Sequence, residues 1–388
     1  MKILIATDMY KPQVNGVVTS VVNLQRGLGE MGHEVRVLTL SDSLHSHCEH
    51  GTEYLGSVGA GKIYPNARLA ISPRLGRVVN ELANWRPDVI HTQCEFSTFL
   101  AAKKIAALCA APVVHTYHTL YEDYTHYFSP SEKLVKRASA FFSKKVLNST
   151  DAVIAPTEKV REILSGYGVT TPVYTIPSGV DLAKFNLPPS ACELRKIRLS
   201  LGISDTDRVL VFVGRLGREK NVDELLLLMK NSVLNAKLLI VGDGPYRPSL
   251  EESASRLGIG HKVIFAGMAA PEDVAKYYRL GDVFISASRS ETQGLTYLEA
   301  MASGRPLVCR RDKSLTGLVE NGVNGFQYDT AGEFLTCVNQ LLDDCEARKT
   351  MGANAMSAVS DYSVGTFAEK AIDVYESILA HQCRKLAA

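Results

Sequence analysis

Two glutamates, Glu291 and Glu299, stand eight residues apart around the segment Gly294-Leu295-Thr296. A buried-strand pattern precedes this segment, and a helical pattern begins near Thr296. The N–H groups of Gly294, Leu295 and Thr296 would face a phosphate at the positive end of that helix. If mostly helical at 1.5 Å per residue, the segment places the carboxylates about 12 Å apart, roughly the length of a nucleotide-sugar from sugar to ribose. Either carboxylate could instead be a helix cap or a surface charge.

A second candidate site is the loop Gly214-Arg215-Leu216-Gly217-Arg218-Glu219-Lys220-Asn221, which follows another predicted strand. Arg215 offers a planar fork of donors to phosphate oxygens, and Lys220 offers a mobile positive charge. Together they could neutralise the negative charge that develops on a leaving diphosphate. A solvated charged loop is the alternative interpretation of this run.

The residues after the first predicted strand, 8–18, occupy the place where open α/β sheets bind ligands. Gly16 would let a ligand approach the backbone there, although an ordinary turn is the alternative. No G-x-G-x-x-G sequence is present, and Gly242-Asp243-Gly244-Pro245 is only a partial match. A tightly bound dinucleotide is therefore not expected.

Two histidines, His115 and His118, lie at the end of a further predicted strand. A histidine in a cleft can hydrogen-bond a sugar hydroxyl or transfer a proton, but a single histidine is more often structural. We expect no metal site, because H-E-x-x-H is absent and strand geometry turns the two side chains to opposite or skewed faces.

Alternating strands and helices must position these loops, and the alternation occurs twice along the chain, which predicts two α/β domains with parallel sheets. The boundary is expected near residues 176–181, followed by a polar connection to about Ser204. We predict domains at 1–180 and 181–363, and a C-terminal segment 364–388 with an amphipathic helix over 364–380. The remaining predicted strands lie at 3–6, 34–40, 89–92, 113–115, 152–155, 209–213, 237–241, 263–265 and 283–287. The remaining predicted helices lie at 17–30, 99–109, 222–230, 247–257 and 296–302.

The composition is that of a globular protein, with 46% hydrophobic and 22% charged residues in 388. This length favours two domains. The eight cysteines include no C-x-x-C pair, so we expect reduced thiols and no zinc site or disulfide framework. A net charge of +2 indicates no nucleic-acid partner, and no apolar run is long enough to predict a membrane span.

These motifs resemble the large family of retaining glycosyltransferases marked by two glutamates with seven residues between them, the glycosyltransferase family 4 type. The resemblance covers nearly the whole chain. It implies the α/β fold called GT-B, in which two Rossmann-like domains face a central cleft and the last helix crosses back to the first domain. Within the family, residues 12–20 and 290–296 look most like bacterial enzymes that glucosylate diacylglycerol. The resemblance also rests on Ser178-Gly179-Val180-Asp181, Phe265-Ala266-Gly267 and Glu299-Ala300-Met301-Ala302-Ser303-Gly304.

The resemblance implies a role for each candidate residue. The catalytic residues would be His118 beside the reacting carbon, Arg215 and Lys220 at the diphosphate, and Glu291 on the transferred sugar. Glu299 would bond the ribose hydroxyls. The residues that bind the donor would be Gly16, Gly214, Met268, Gly294, Leu295, Thr296 and Glu299, with the backbone around Met268 at the base.

The implied reaction moves a hexose, glucose from UDP-glucose, onto a lipid such as diacylglycerol by same-face attack. No cofactor and no metal are required, because cations and a helix start neutralise the departing diphosphate. The nucleoside diphosphate-sugar is a substrate. Alternatives are a soluble or polysaccharide acceptor, a GDP-mannose donor, and a sugar-nucleotide-binding module without turnover; the intact candidate residues argue against the last. Epimerases of similar fold also bind such donors.

A lipid acceptor requires a membrane contact, and the segment 133–145 of the first domain could provide it. On a helix, its cations could cluster toward anionic head groups while Phe141 or Phe142 enters the interface. The alternative is a helix with its apolar face in the core and its lysines in water. We expect a cytoplasmic protein, peripheral on the inner face of the cell membrane. The predicted contact residues are Lys133, Lys136, Arg137, Phe141, Phe142, Lys144 and Lys145.

Overall fold

The computed structural model describes residues 1–60, 68–71, 75–121, 132–231 and 235–387, with the backbone alone for 132–135 and 385–387. The chain forms two compact units. The first comprises Met1–Gly179 together with Val364–Ala388, and the second comprises Val180–Ser363. Each unit is a Rossmann-like α/β domain. Within the described ranges, no helix is both long enough and apolar enough to span a bilayer.

The first unit is built on a sheet of strand order β10-β9-β8-β7-β1-β2-β4-β3, in which only the β3–β4 pair is antiparallel. The strands that carry the site, β1, β7 and β8, are almost entirely buried, as expected for a parallel sheet covered on both faces, although β7 and β8 each end in a buried His-Thr pair. The elements are β1 (Lys2–Ala6), α1 (Gly16–Glu30), β2 (Glu34–Leu40), β3 (His47–Glu49), β4 (Thr52–Leu55), β5 (Ser57–Gly59), β6 (Arg68–Ala70), α2 (Leu75–Trp85), β7 (Val89–Thr92), α3 (Ser97–Cys109), β8 (Val113–Thr116), α4 (Glu132–Leu147), β9 (Ala152–Ala155), α5 (Glu158–Gly166) and β10 (Val173–Thr175).

The chain leaves β1 toward β2 on one side and later returns to add β7 on the other side. Strands β1 and β7 are therefore neighbours whose following loops diverge, which is the topological switch point of an open α/β sheet. Ligands of such sheets bind outside the carboxyl ends of the strands at this point. In the first unit this edge carries the loops after β1, β7 and β8.

The second unit has a six-stranded sheet of order β13-β12-β11-β14-β15-β16, parallel throughout the described residues. Its switch point lies between β11 and β14. The elements are α6 (Leu182–Asn186), α7 (Ala191–Ser200), β11 (Arg208–Val213), α8 (Val222–Lys230), β12 (Ala236–Val241), α9 (Arg247–Arg256), β13 (Val263–Gly267), α10 (Val274–Leu280), β14 (Val283–Ser286), α11 (Leu295–Ala302), β15 (Leu307–Arg310), β16 (Gly325–Tyr328), α12 (Ala331–Asp343) and α13 (Cys345–Ala358), with 3₁₀ turns at Arg218–Lys220, Lys313–Leu315 and Ser360–Tyr362.

The last helix, α14 (Val364–Ala387), packs in the first unit, against α1. Gly27 of α1 permits the close approach, because a Cβ there would come within 2.8 Å of the Ala368 side chain. The Tyr375 hydroxyl lies 2.6 Å from Nδ1 of the buried His91 on β7. The predicted end of this helix at residue 380 was wrong, since it continues to Ala387.

The polar connection that the sequence predicts between residues 181 and 204 contains two helices, α6 and α7, which were not predicted. A reciprocal capping box begins α7, in which Ser190 and Glu193 satisfy each other's backbone N–H groups. No side chain of α7 is buried, so its sequence has little apolar periodicity. The only local sign of this helix is the capping box at its start.

Candidate functional site

The topology of the second unit brings together the two loops that carry most candidate residues. The loop 214–221 follows β11 and the loop 287–294 follows β14, and these strands are neighbours. The Asn221 side-chain amide donates to the carbonyl of Ala287 at 3.3 Å, and the Ser290 hydroxyl donates to the carbonyl of Glu219 at 3.1 Å. Hydrogen bonds therefore join the two loops at the switch point of the second sheet.

Lys220 and Glu291, predicted from separate motifs, form an ion pair in this structure. The Lys220 Nζ lies 2.5 Å from Oε1 of Glu291, and both side chains are mostly buried. An ammonium has three donors, so Lys220 can keep this contact and still donate to a phosphate. The pair fixes the position of the cation before a ligand binds.

Arg215 is held in a similar way by Glu219, which the sequence analysis did not select. The two side chains lie 2.5 Å apart, and the Glu219 side chain is only 1% exposed. The second Glu219 oxygen is buried without a hydrogen-bond partner. Gly217 makes room for this carboxylate, because any Cβ there would collide with it. The available sequence signal was the Arg–Glu spacing of four residues across a glycine.

The motif Gly242-Asp243-Gly244-Pro245 packs against the loop 214–221, which carries Arg215 and Lys220. A Cβ on Gly242 would overlap the carbonyl of Gly214, and a Cβ on Gly244 would lie 2.5 Å from the carbonyl of Leu216. The backbones are joined by hydrogen bonds from Gly214 N to Val241 O and from Leu216 N to Asp243 O. These glycines allow two loops to pack backbone against backbone.

The start of α11 has the geometry expected of an anion-binding helix terminus. Gly294 adopts φ +77°, and a Cβ there would collide with the ring of Tyr297. The helix then begins at Leu295, one residue before the predicted start, so Leu295 and Thr296 carry N–H groups of its first turn. Glycine is required here by both backbone conformation and space.

Glu299 lies one turn further along α11 and is partly buried. The Tyr278 hydroxyl donates to its Oε2 at 2.7 Å. Burial nevertheless raises the pKa of Glu299 to about 7, because desolvation of the charged form outweighs the hydrogen bond and the attraction of Lys184. Met268, expected near the base, follows Gly267 at the end of β13 with its side chain 61% exposed.

Gly16 is the first residue of α1 in the first unit and is exposed. The side chain of Asn15 caps the helix by accepting from the N–H of Val18 at 2.9 Å. The loop before this helix follows β1 at the switch point of the sheet.

His118 lies beyond the end of β8, and its Nε2 is 2.6 Å from Oε1 of Gln93. Burial lowers the pKa of His118 to about 3, with a smaller contribution from His115. The imidazole is therefore neutral near pH 7. Since the Gln93 oxygen can only accept, Nε2 carries the hydrogen and Nδ1 is left as an acceptor. His118 can accept a hydrogen bond from a hydroxyl at Nδ1.

The predicted membrane segment is helical, as α4. Its side chains at Lys136, Arg137, Lys144 and Lys145 are exposed, and Phe141 is 70% exposed. Ser143, Val146 and Leu147 are buried, and Lys136, seven residues before Ser143, lies on the same side of the helix as they do, so the four cations do not share one face. The Lys133 side chain lies outside the described residues.

The described part of the chain contains no group of three or more His, Cys, Asp or Glu side chains arranged to hold a metal ion.

Comparisons with known proteins agree with this architecture. Residues 14–184 match the family model Glycosyltransferase Family 4, and residues 194–358 match Glycosyl transferases group 1. The alpha-monoglucosyldiacylglycerol synthase of Streptococcus pneumoniae is 38% identical over 86% of this chain and 78% of its own. The protein of the same name from Acholeplasma laidlawii is 30% identical over 100% and 99%.

Anabaena HepE, solved in complex with UDP-glucose, superposes with a TM-score of 0.78 over 97% of this chain and 100% of its own. Its sequence identity is 19%, so this likeness concerns the fold. The GT-B fold of two Rossmann-like domains that the sequence predicts is thereby confirmed. The chain belongs to the glycosyltransferases with a family 4 amino-terminal region and a group 1 carboxyl-terminal region.

Proposed function

We propose that the protein transfers glucose from UDP-glucose to diacylglycerol with retention of the anomeric configuration, a hexosyltransferase reaction of EC class 2.4.1. The observation that carries this proposal is the match along most of the chain to two alpha-monoglucosyldiacylglycerol synthases. The product would be a membrane glycolipid.

The arrangement of the second unit supports a role for Lys220 and Arg215 at the diphosphate. Each cation is already held by a carboxylate, so little side-chain freedom is lost when a donor binds. Arg215 has further N–H donors, and the first turn of α11 adds backbone donors. Preorganised donors of this kind stabilise the charge that develops on a leaving diphosphate.

In the proposed step, the bond between the sugar C1 and the diphosphate oxygen breaks while the acceptor oxygen bonds C1 from the same face. The acceptor proton moves to the departing diphosphate. His118 accepts a hydrogen bond from a sugar hydroxyl through Nδ1, Glu291 bonds the transferred sugar, and Glu299 bonds the ribose. This route needs no carboxylate nucleophile of the kind used by retaining glycosidases, and no metal.

A lipid acceptor places the enzyme at a membrane surface, and we propose that α4 provides the contact. Four of its cations and Phe141 are exposed. Each basic residue close to an anionic surface contributes about 1 kcal/mol, so this helix suffices for reversible peripheral binding. The location would be the cytoplasmic face of the cell membrane.

The test is a matrix of donors and acceptors. UDP-glucose, UDP-galactose and GDP-mannose are each incubated with diacylglycerol, a glycolipid and soluble sugars, and products are identified by mass spectrometry. We expect one hexose added to diacylglycerol from UDP-glucose. Transfer only to soluble acceptors, or only from GDP-mannose, would refute the proposal. Binding of donors without transfer or hydrolysis would indicate a binding module.

A further inference from the structure

Three aromatic side chains from separate elements form a cluster on the first unit. Phe96 precedes α3, Tyr121 follows β8, and Phe142 belongs to α4. The rings of Phe96 and Phe142 stack with centroids 5.8 Å apart, and Tyr121 meets both edge-on at 6.1 and 6.3 Å. Phe96 is 48% exposed and Phe142 is 36% exposed. The cluster therefore presents apolar ring surface to solvent.

The inner end of the cluster is polar. The Tyr121 hydroxyl donates to Oε2 of the buried Glu95 at 2.5 Å, and Nε2 of the buried His115 lies 3.4 Å from Oε1. Glu95 follows β7 and Tyr121 follows β8, so both lie at the carboxyl edge of the sheet. The loop after β8 also carries His118.

An exposed apolar surface that ends in a buried phenol and carboxylate fits a ligand with a hydrocarbon part and a hydroxyl group. Diacylglycerol has this chemistry. Two stacked and partly exposed phenylalanine rings form an apolar surface, and a hydrocarbon chain that covers it is stabilised by the burial.

We infer that Phe96, Tyr121 and Phe142 form the acceptor subsite, where an acyl chain lies against the phenylalanine rings and the glycerol end faces the Tyr121–Glu95 pair. This inference rests on the proposed function and adds the residues that select the acceptor. In the proposed membrane contact, the exposed cations of α4, among them Lys145 three residues after Phe142, would bring an anionic surface close to the rings. An acyl chain leaving the bilayer therefore meets the rings first.

The test compares dihexanoylglycerol with dioctanoylglycerol as monomeric acceptors without vesicles, so that membrane docking does not contribute. Burial of one added methylene group lowers KM by about fourfold. We expect the wild-type KM for dioctanoylglycerol to be lower by at least about fourfold. In Phe96→Ala and Phe142→Ala this ratio should approach one, while the KM for UDP-glucose stays unchanged.

Three further variants distinguish contact of these rings with the acceptor from a role in packing of the fold. Phe96→Leu keeps apolar surface and should keep most of the chain-length ratio, and Tyr121→Phe keeps the ring and should keep it too. Leu108→Ala is the matched control, because Leu108 is an exposed apolar residue near the far end of α3. It should match the wild type.

An unchanged ratio in both alanine variants would overturn the inference, as would an equal loss of the ratio in Leu108→Ala. If the wild-type protein glucosylates dioleoylglycerol in vesicles but neither short-chain acceptor, this inference fails alone; if it glucosylates none of the three, the proposed function fails as well. The two failures are therefore distinguishable.

Discussion

Lowering the pH below 7 should weaken the binding of UDP-glucose through Glu299. Burial raises the pKa of this carboxyl to about 7. In the proposed role of Glu299, a ribose hydroxyl donates to the carboxylate and so stabilises its charged form. The donor then binds the ionised enzyme, so the apparent Kd grows by the factor 1 + 10^(7 − pH). Between pH 8 and pH 6 the Kd should rise by about tenfold.

Isothermal titration with UDP-glucose at half-unit pH steps measures this slope. UDP-glucose is the suitable ligand, because a terminal phosphate such as that of UDP titrates near pH 6 and would add its own slope. Glu299→Gln should bind about tenfold more weakly at pH 8, because a charge-assisted hydrogen bond is lost, and its Kd should not change with pH.

Tyr278→Phe is a second control with a predicted direction. It removes the hydrogen bond that lowers the pKa of Glu299, so the midpoint should move above pH 7. A wild-type Kd that stays constant from pH 8 to pH 6, or the same slope in Glu299→Gln, would refute the reasoning.

The raised pKa of Glu299 also makes the free energy of unfolding depend on pH. The folded protein holds this proton more tightly than the unfolded chain, so the free energy of unfolding should fall as pH rises from 4.5 through 7 and then level off. A pKa raised from 4.5 to about 7 corresponds to at most about 3 kcal/mol, and less for a partly exposed side chain. In urea unfolding, Glu299→Gln should be more stable than the wild type at pH 8 but not at pH 4.5.

Three other outcomes are expected. Lys220→Ala and Arg215→Ala should each lower turnover by about a hundredfold or more with circular dichroism unchanged; near-normal turnover in both would exclude the leaving-group role. Glu291→Ala and His118→Ala should mainly lower kcat, whereas Glu299→Ala should mainly raise the donor KM, and equal effects on both constants would contradict these roles. In a sedimentation assay, binding of the protein to phosphatidylglycerol vesicles should fall with added salt. It should also fall in a variant with three charge reversals, Lys136→Glu, Arg137→Glu and Lys144→Glu; equal binding by this variant would exclude α4 as the membrane contact.

Continuous apolar runs made most strands of the two sheets predictable from the sequence. Strand β2 and helix α8 were predicted with their observed bounds, and β11 was predicted to within one residue. Several helices were not predicted, among them α2, although it buries five side chains on one face. Helix α7 buries no side chain, and its existence depends on a capping box and on contacts with α10.

The candidate site was predictable where local motifs mark it, as at Lys220 and Glu291. The contact between these two side chains was not predictable, because the residues are 71 positions apart in the sequence and meet only because β11 and β14 are neighbours. The roles of Glu219 and Glu95 depend in the same way on tertiary proximity. Glu219 needs the space at Gly217, and Glu95 needs the pairing of β7 with β8.

The anomeric configuration of the product tests the central claim most directly. The protein is incubated with UDP-α-glucose and dioleoylglycerol in phosphatidylglycerol vesicles, and the purified glycolipid is examined by proton NMR. The coupling constant of the anomeric proton distinguishes the two configurations. Retention predicts α-glucosyldiacylglycerol; a β-linked product, or no glucolipid under conditions where the donor is consumed, would contradict the account.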